Sequence, residues 1–190
     1  RREEASIIAL KIKNMPQLGG SNGEGGALNS IDKALLGAKN LKAKVYVDGD
    51  YRIIIFSPIL TKEADNNITA IKSAQEISNV LSNHNAKYSQ KIDFGIGVNS
   101  GEMIIESENG KFKFTSLGNS IGSAKKVASE SNTDVLMSEE THRKVVGRVK
   151  STKMPVGSSW KVRSVIDREK YSGFINRTNK GQGNVLDGAK

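Results

Sequence analysis

The sequence predicts an α+β domain built on a mostly antiparallel sheet with helices packed on one face. β-rich runs flank the turn Asp48-Gly49-Asp50, which is a hairpin signal. Apolar residues recur at helical spacing between Glu63 and Asn83, and the elements follow the order strand, helix, hairpin, helix, strands, helix, strand. At 190 residues the chain can bury one sizeable core, so the expected division is a domain over 1–166 and a basic helix with a disordered tail over 167–190.

Ala5 to Ile12 is a short apolar run that suits a buried strand. Gly19 to Gly26 is glycine-rich, but no Gly-Lys-Ser/Thr follows, so a flexible loop is expected rather than a phosphate loop. Asn29 or Ser30 can cap a helix through about Lys39, with Ile31, Ala34, Leu35 and Ala38 on one face. Ala43–Val47 and Tyr51–Phe56 form the hairpin, and the long helix over about 63–83 presents Ile68, Ile71, Ala74, Ile77, Val80 and Leu81. Strands are expected over 91–98, 102–106 and 111–115, joined at Asn99-Ser100-Gly101 and Glu108-Asn109-Gly110. Gly118 opens a helix to about Ser129, and a strand over 134–137 leads to a helix capped by Ser138 with Glu139 and Glu140 in its first turn. Final strands are expected over 148–153 and 159–166, then a short helix over 167–176. That order is compatible with a ferredoxin-like core.

Composition narrows the chemistry. With no cysteine and only His84 and His142 as nitrogen ligands, neither a disulfide framework nor a structural zinc is expected, and both histidines read as surface or helix-end residues. No apolar run approaches the roughly 20 residues that cross a bilayer, and no signal-peptide core follows the Arg-Arg-Glu-Glu start, so a cytoplasmic protein without a membrane role is expected. A start without Met suits one piece of a longer protein. The net charge is +9, and Arg143 to Lys180 holds eleven Lys/Arg against Asp167 and Glu169. Such a stretch is either a solvated basic face or a surface for nucleic acid or an acidic partner, although few aromatics interleave for base stacking.

The stretch Phe112 to Val127, Phe-Lys-Phe-Thr-Ser-Leu-Gly-Asn-Ser-Ile-Gly-Ser-Ala-Lys-Lys-Val, resembles the catalytic segment of the class III adenylate/guanylate cyclase domain. The resemblance extends over about Ala5 to Val146 through the first strand, the Gly49-Asp50 hairpin with its hydrophobic strand and proline, the Ala-containing long helix, Phe94-Gly95-Ile96-Gly97-Val98 with Gly101, and Asp134 to His142. It implies a cyclase-type sandwich, head-to-tail pairing of domains, and two metal ions held by aspartates on the first strand and in the hairpin. The hairpin aspartate matches Asp50, whereas the first-strand aspartate falls at Lys11, whose ammonium repels a metal.

By the same resemblance the purine-reading lysine of adenylate cyclases corresponds to Tyr46, and Thr115 is a residue type used at the second purine-contacting position. The ribose-orienting asparagine corresponds to Gly122, which has no side chain, and the transition-state arginine to Lys126, which keeps charge but loses the planar fork. The expectation is therefore a catalytically inactive cyclase-homology domain, a regulatory or dimerisation module pairing with itself or a related domain, with no catalytic residues and no required cofactor. Mg2+ has a place only if a nucleotide binds, and the candidate nucleotide contacts are Asp50, Tyr46, Thr115, Gly118, Asn119, Ser120 and Lys126. Each has a plainer reading: Asp50 satisfies turn amides, Asn119 or Ser120 caps a helix, Lys125 and Lys126 are surface lysines, and Lys11 snorkels from the sheet. Nucleic-acid binding by the basic third is the alternative, and residual cyclase activity ranks below it.

Overall fold

The computed structural model describes residues 1–19 and 26–166. The helix expected over 167–176, the tail, and most of the glycine-rich loop lie outside the described residues. In chain order the elements are β1 (Arg2–Ile12), a 3₁₀ turn (Met15–Leu18), α1 (Ala27–Asn40), β2 (Lys44–Asp48), β3 (Tyr51–Phe56), α2 (Pro58–Thr61), α3 (Asn67–Lys87), β4 (Phe94–Glu108), β5 (Lys111–Ser116), α4 (Ser120–Glu130), β6 (Val135–Met137), α5 (Glu139–Val145), β7 (Val149–Lys153) and β8 (Trp160–Val165). The eight strands form one sheet in the order β2-β3-β1-β4-β6-β8-β7, with β5 pairing β4 beyond that path. All pairs are antiparallel except β4–β6. The β2-β3-β1-β4 order is that of a ferredoxin-like core.

β1 sits at the centre because it is apolar on both faces, which only a strand covered twice can be. Ile8, Leu10 and Ile12 pack with α1 and α3, while Ala5, Ile7 and Ala9 pack with Ala124 and Ala128 of α4. The helices thus cover both faces, not the one face expected. The small residues of α4 explain it: a stripe of Ser120, Ala124 and Ala128 lets the helix lie close on the glycines of β4. Each fully buried Ile in these layers stabilises the fold by roughly 1.5–3 kcal/mol.

α1 buries the expected Ile31, Ala34, Leu35 and Ala38 but starts at Ala27, so Asn29 and Ser30 lie within its first turn. Ser30 is occupied elsewhere: its hydroxyl lies 2.7 Å from His84 Nδ1, while His84 Nε2 lies 2.7 Å from the Gln90 carbonyl. His84 is therefore buried and bonded at both nitrogens rather than at the surface. Pro58 and the left-handed Lys62 set off α2, which displaces the start of the long helix from about Glu63 to Asn67.

The largest departure is β4. Asn99-Ser100-Gly101 does not turn but continues as strand, because β1 pairs with it unbroken from Arg2↔Ile104 to Ile12↔Phe94. Their polarity is satisfied by side chains instead of solvent. Ser100 Oγ donates to Asn67 Oδ1 at 2.7 Å and lies 2.8 Å from Thr141 Oγ1, while Ser6 Oγ donates to the same Asn67 oxygen at 2.8 Å. At the hairpin, Gly49 takes φ +58 as the first of two loop residues between the paired Asp48 and Tyr51, and the expected Ser138 cap of α5 accepts from the Thr141 amide.

Candidate functional site

On the α4 face of the sheet, alternate residues of three neighbouring strands point the same way. β1 presents Lys11, β2 presents Lys44, Tyr46 and Asp48, and β3 presents Tyr51, which pairs with both Lys11 and Asp48. Lys125 reaches this patch from α4 and forms an ion pair with Asp48. The ammonium groups of Lys11 and Lys125 lie 5.6 and 5.2 Å from the centroid of the Tyr51 ring, so one aromatic side chain is bracketed by two cations. Further along, Lys44 donates to the Phe112 carbonyl at 2.9 Å and lies 5.3 Å from the Phe114 ring centroid. Burial, then the Asp48 charge, push the Tyr46 phenol above its ordinary value, with Lys125 pulling against them.

Lys11 is half-buried, and among the described residues no carboxylate pairs with it. Asp50 is its near neighbour, since its carbonyl accepts from the Ile12 amide at 2.8 Å, but its side chain is exposed. The donor set at this place is thus two exposed carboxylates, Asp50 and the Asp48 already paired with Lys125, with the Lys11 ammonium on the neighbouring strand. Among the described residues no cluster of three or more His, Asp or Glu comes together anywhere. Two unit charges about 4 Å apart interact by about 4 kcal/mol at an effective dielectric near 20, and a divalent ion beside Lys11 meets twice that as repulsion. These residues do not fit the paired metal ions that the fold implies.

The remaining nominated residues stand elsewhere. Gly118 and Asn119 are exposed, and Asn119 occupies the cap position of α4 without a side-chain cap bond; Ser116 Oγ accepts from the Ser120 amide at 3.0 Å instead. Ser120 packs against Gly101, which pairs with Ala5, whereas Lys11 pairs with Gly95. Six residues of β1 separate the two ends, about 20 Å at the rise of a strand. Thr115 is exposed on the face of β5 opposite Phe114, and Lys126 is exposed on α4. One chain therefore brings Tyr46 together with the Lys11 end and leaves Thr115, Gly118, Asn119, Ser120 and Lys126 apart from it. At Gly122 an added Cβ would run into the carboxamide of Asn119, so a larger side chain needs Asn119 to move.

Sequence reasoning passed over Lys125, Asp48 and Tyr51. Lys125 follows the buried Ala124 and precedes Ala128 by three positions, so it flanks the packed stripe while Lys126 turns away; that helical offset was the available signal. Also passed over was Asn99, which positions the start of α4: its amide donates to the Ser120 carbonyl at 2.9 Å and its oxygen accepts from Ser138 Oγ at 2.6 Å.

Much of the described basic excess is paired. Arg143 lies near Glu139 and Glu140, Lys144 pairs with Glu4, Arg148 with Asp65 at 2.7 Å and Lys161 with Asp134 at 3.0 Å, while Lys150 and Arg163 are exposed. His142 stacks flat on Trp160 at 3.6 Å, and Trp160 Nε1 donates to Glu139, which lowers the Glu139 carboxyl below its ordinary value. Burial raises the Asp65 carboxyl, but the Arg148 bond and charge and the Asn67 bonds outweigh it, so it lies below the usual value. A depressed carboxyl contributes stability above its unfolded pKa and loses it as the pH falls through the folded one. Asp65→Asn is therefore expected to lower the urea midpoint slightly at neutral pH and to differ less from wild type at about pH 3. Urea melts at both pH values check this.

No family model and no curated protein matches the sequence. Solved structures match well. The guanylate cyclase domain of RhGC from Catenaria anguillulae, in complex with GTP, aligns over 87% of this chain and 100% of its own at a TM-score of 0.67 and 14% identity. The non-canonical dimeric guanylyl cyclase domain of the RhoGC fusion protein from Blastocladiella emersonii aligns over 87% and 99% at 0.68 and 15% identity. The adenylyl cyclase CyaB from P. aeruginosa aligns over 87% and 96% at 0.58 and 13% identity. No helix among the described residues is long and apolar enough to cross a membrane. The chain has the fold of the class III nucleotide cyclase domains.

Proposed function

We propose that this chain is a non-catalytic cyclase-fold module that works by pairing with a second copy or a related domain and holds a nucleotide without converting it. The observation that carries this reading is Lys11 at the strand position where the resemblance puts a metal-binding carboxylate, with Gly122 in place of the ribose-orienting side chain. A charge reversed at the centre of the site removes two-metal chemistry, while the surrounding scaffold is kept.

Pairing is supported by the separation within one chain. The Lys11–Tyr46 end and the Gly118–Ser120 end share one face of the sheet but lie too far apart to grip one small molecule, and a head-to-tail second chain joins one end of each. Among the similar folds one has been solved with GTP bound, one as a non-canonical dimer and others as monomers. The test is the sedimentation mass across micromolar concentrations, with a cyclic-product assay on the same samples. A dimeric mass and no product are expected; a strictly monomeric mass contradicts the pairing, and product contradicts the loss of catalysis.

A further inference from the structure

We infer that the cavity beside the start of α3 binds a small zwitterion, an α-amino acid with a short side chain, held by Asn67 at its buried end and by Glu4 at its mouth. The cavity lies on the α3 face of the sheet, whereas Lys11, Tyr46 and Tyr51 share the α4 face, so it stands whether or not the domain holds a nucleotide.

The cavity measures about 220 Å3 and is lined by Glu4, Ser6, Ala64, Asp65, Asn66 and Asn67. That is below the roughly 300–1,000 Å3 of sites for drug-sized ligands and equals about seven waters at roughly 30 Å3 each, so the occupant is a small molecule. Three of the lining residues are buried, and two of these have committed side chains. Asn66 accepts from Thr61 Oγ1 at 2.8 Å and donates to the Glu63 carbonyl at 3.1 Å, and Ser6 donates to Asn67 Oδ1 at 2.8 Å. Asn67, only 9% exposed, is the exception. Its oxygen also accepts from Ser100 Oγ at 2.7 Å, but among the described residues nothing accepts from its side-chain nitrogen. That nitrogen is not one of the unpartnered atoms sealed from solvent, so it opens on the cavity. An occupant with an oxygen to offer satisfies it.

The mouth carries both signs of charge. Glu4 Oε1 pairs with Lys144, and Asp65 Oδ2 pairs with Arg148 at 2.7 Å, while Asp65 Oδ1 accepts from the Asn67 amide at 2.9 Å. Glu4 Oε2 has no partner among the described residues. Two carboxylates and two cations cancel, so an ion of either sign gains little, but a molecule that carries both charges meets a partner for each. Its carboxylate accepts from Asn67 Nδ2 at the positive end of the 21-residue α3, and its ammonium donates to Glu4 Oε2.

The experiment is calorimetric titration of the whole chain with L-alanine and L-serine. Probes that lack one charge are run beside them: ethylamine and ethanolamine without the carboxylate, propionate and 3-hydroxypropionate without the ammonium. At least one amino acid is expected to bind with a Kd of about 1 mM or below, and its half-probes about tenfold more weakly or worse. Asn67→Asp keeps an oxygen for Ser6 and Ser100 but removes the free donor, and should lose about tenfold or more. Glu4→Gln should lose about fivefold or more, whereas Glu106→Gln, exposed on β4, should leave affinity within about twofold. Circular dichroism melts confirm that the variants are folded, and Glu4→Gln gives a second reading of the site if Asn67→Asp does not fold. Binding of neither amino acid, which leaves the cavity to water, overturns the inference. So does a half-probe that binds as tightly as its amino acid, or a loss from Glu106→Gln equal to that from Asn67→Asp or Glu4→Gln.

Discussion

Gly97→Val is expected to destabilise the domain by about 3 kcal/mol or more, a large share of the stability of a typical domain. A Cβ on Gly97 would be driven into the Ala124 carbonyl and the Ala128 amide and lie 2.9 Å from the Val127 carbonyl carbon, all backbone atoms of α4. No rotamer change relieves such a contact, so the whole helix must lift from the sheet, uncovering Ala5, Ile7 and Ala9 and carrying Lys125 away from Tyr51 and Asp48. Gly110→Ala is the control. Gly110 sits at φ +74 with open space around its Cβ position, so that change costs only the left-handed penalty of about 1 kcal/mol. Thermal melts of the two variants check the contrast; equal losses would mean that α4 does not rest on β4 as described.

Asn99→Leu is expected to cost about 2–4 kcal/mol, although it keeps the branching and the number of side-chain heavy atoms and adds apolar character. Asn99 is buried on β4 and joins the starts of two helices, donating to Ser120 of α4 and accepting from the Ser138 cap of α5. Leucine takes the side-chain donor from the Ser120 carbonyl and leaves the half-buried Ser138 hydroxyl only its longer 3.3 Å bond to Thr141 Oγ1. Urea melts measure the loss, and amide exchange locates it, with the first turns of α4 and α5 expected to lose protection before the β1–β4 ladder. Protection lost evenly across the sheet would contradict this role for Asn99.

The particular residues show why some features were legible. The Asp48-Gly49-Asp50 hairpin, the Ile31–Ala38 face of α1 and the Ser138 cap are local, set by turn chemistry and periodicity within a few residues. Asn99-Ser100-Gly101 read as a turn because polar and glycine residues usually are one. What makes it strand is distant: eleven consecutive pairings with β1 and partners at Asn67, Ser120, Ser138 and Thr141. His84 does lie at a helix end, in the last turn of α3, but its burial was not legible because its partner Ser30 lies on another helix.

At the candidate site, Lys11, Asp50 and Tyr46 were reached through resemblance to a family, position by position. Lys125, Asp48 and Tyr51 required the fold, because their meeting depends on how α4 crosses β1 and β3. The distance between the Lys11 and Ser120 ends is likewise a property of the β1–β4 register and not of any motif.

The central claim is that the scaffold persists without turnover. Its most direct test is incubation of the purified chain with ATP and with GTP, in Mg2+ and in Mn2+, with quantification of cyclic nucleotide. No product is expected from the wild type, and none from Lys11→Asp, since Gly122 still offers the ribose no side chain and Asn119 fills the adjacent space. Cyclic product from the wild type, abolished by Asp50→Ala, would contradict the account.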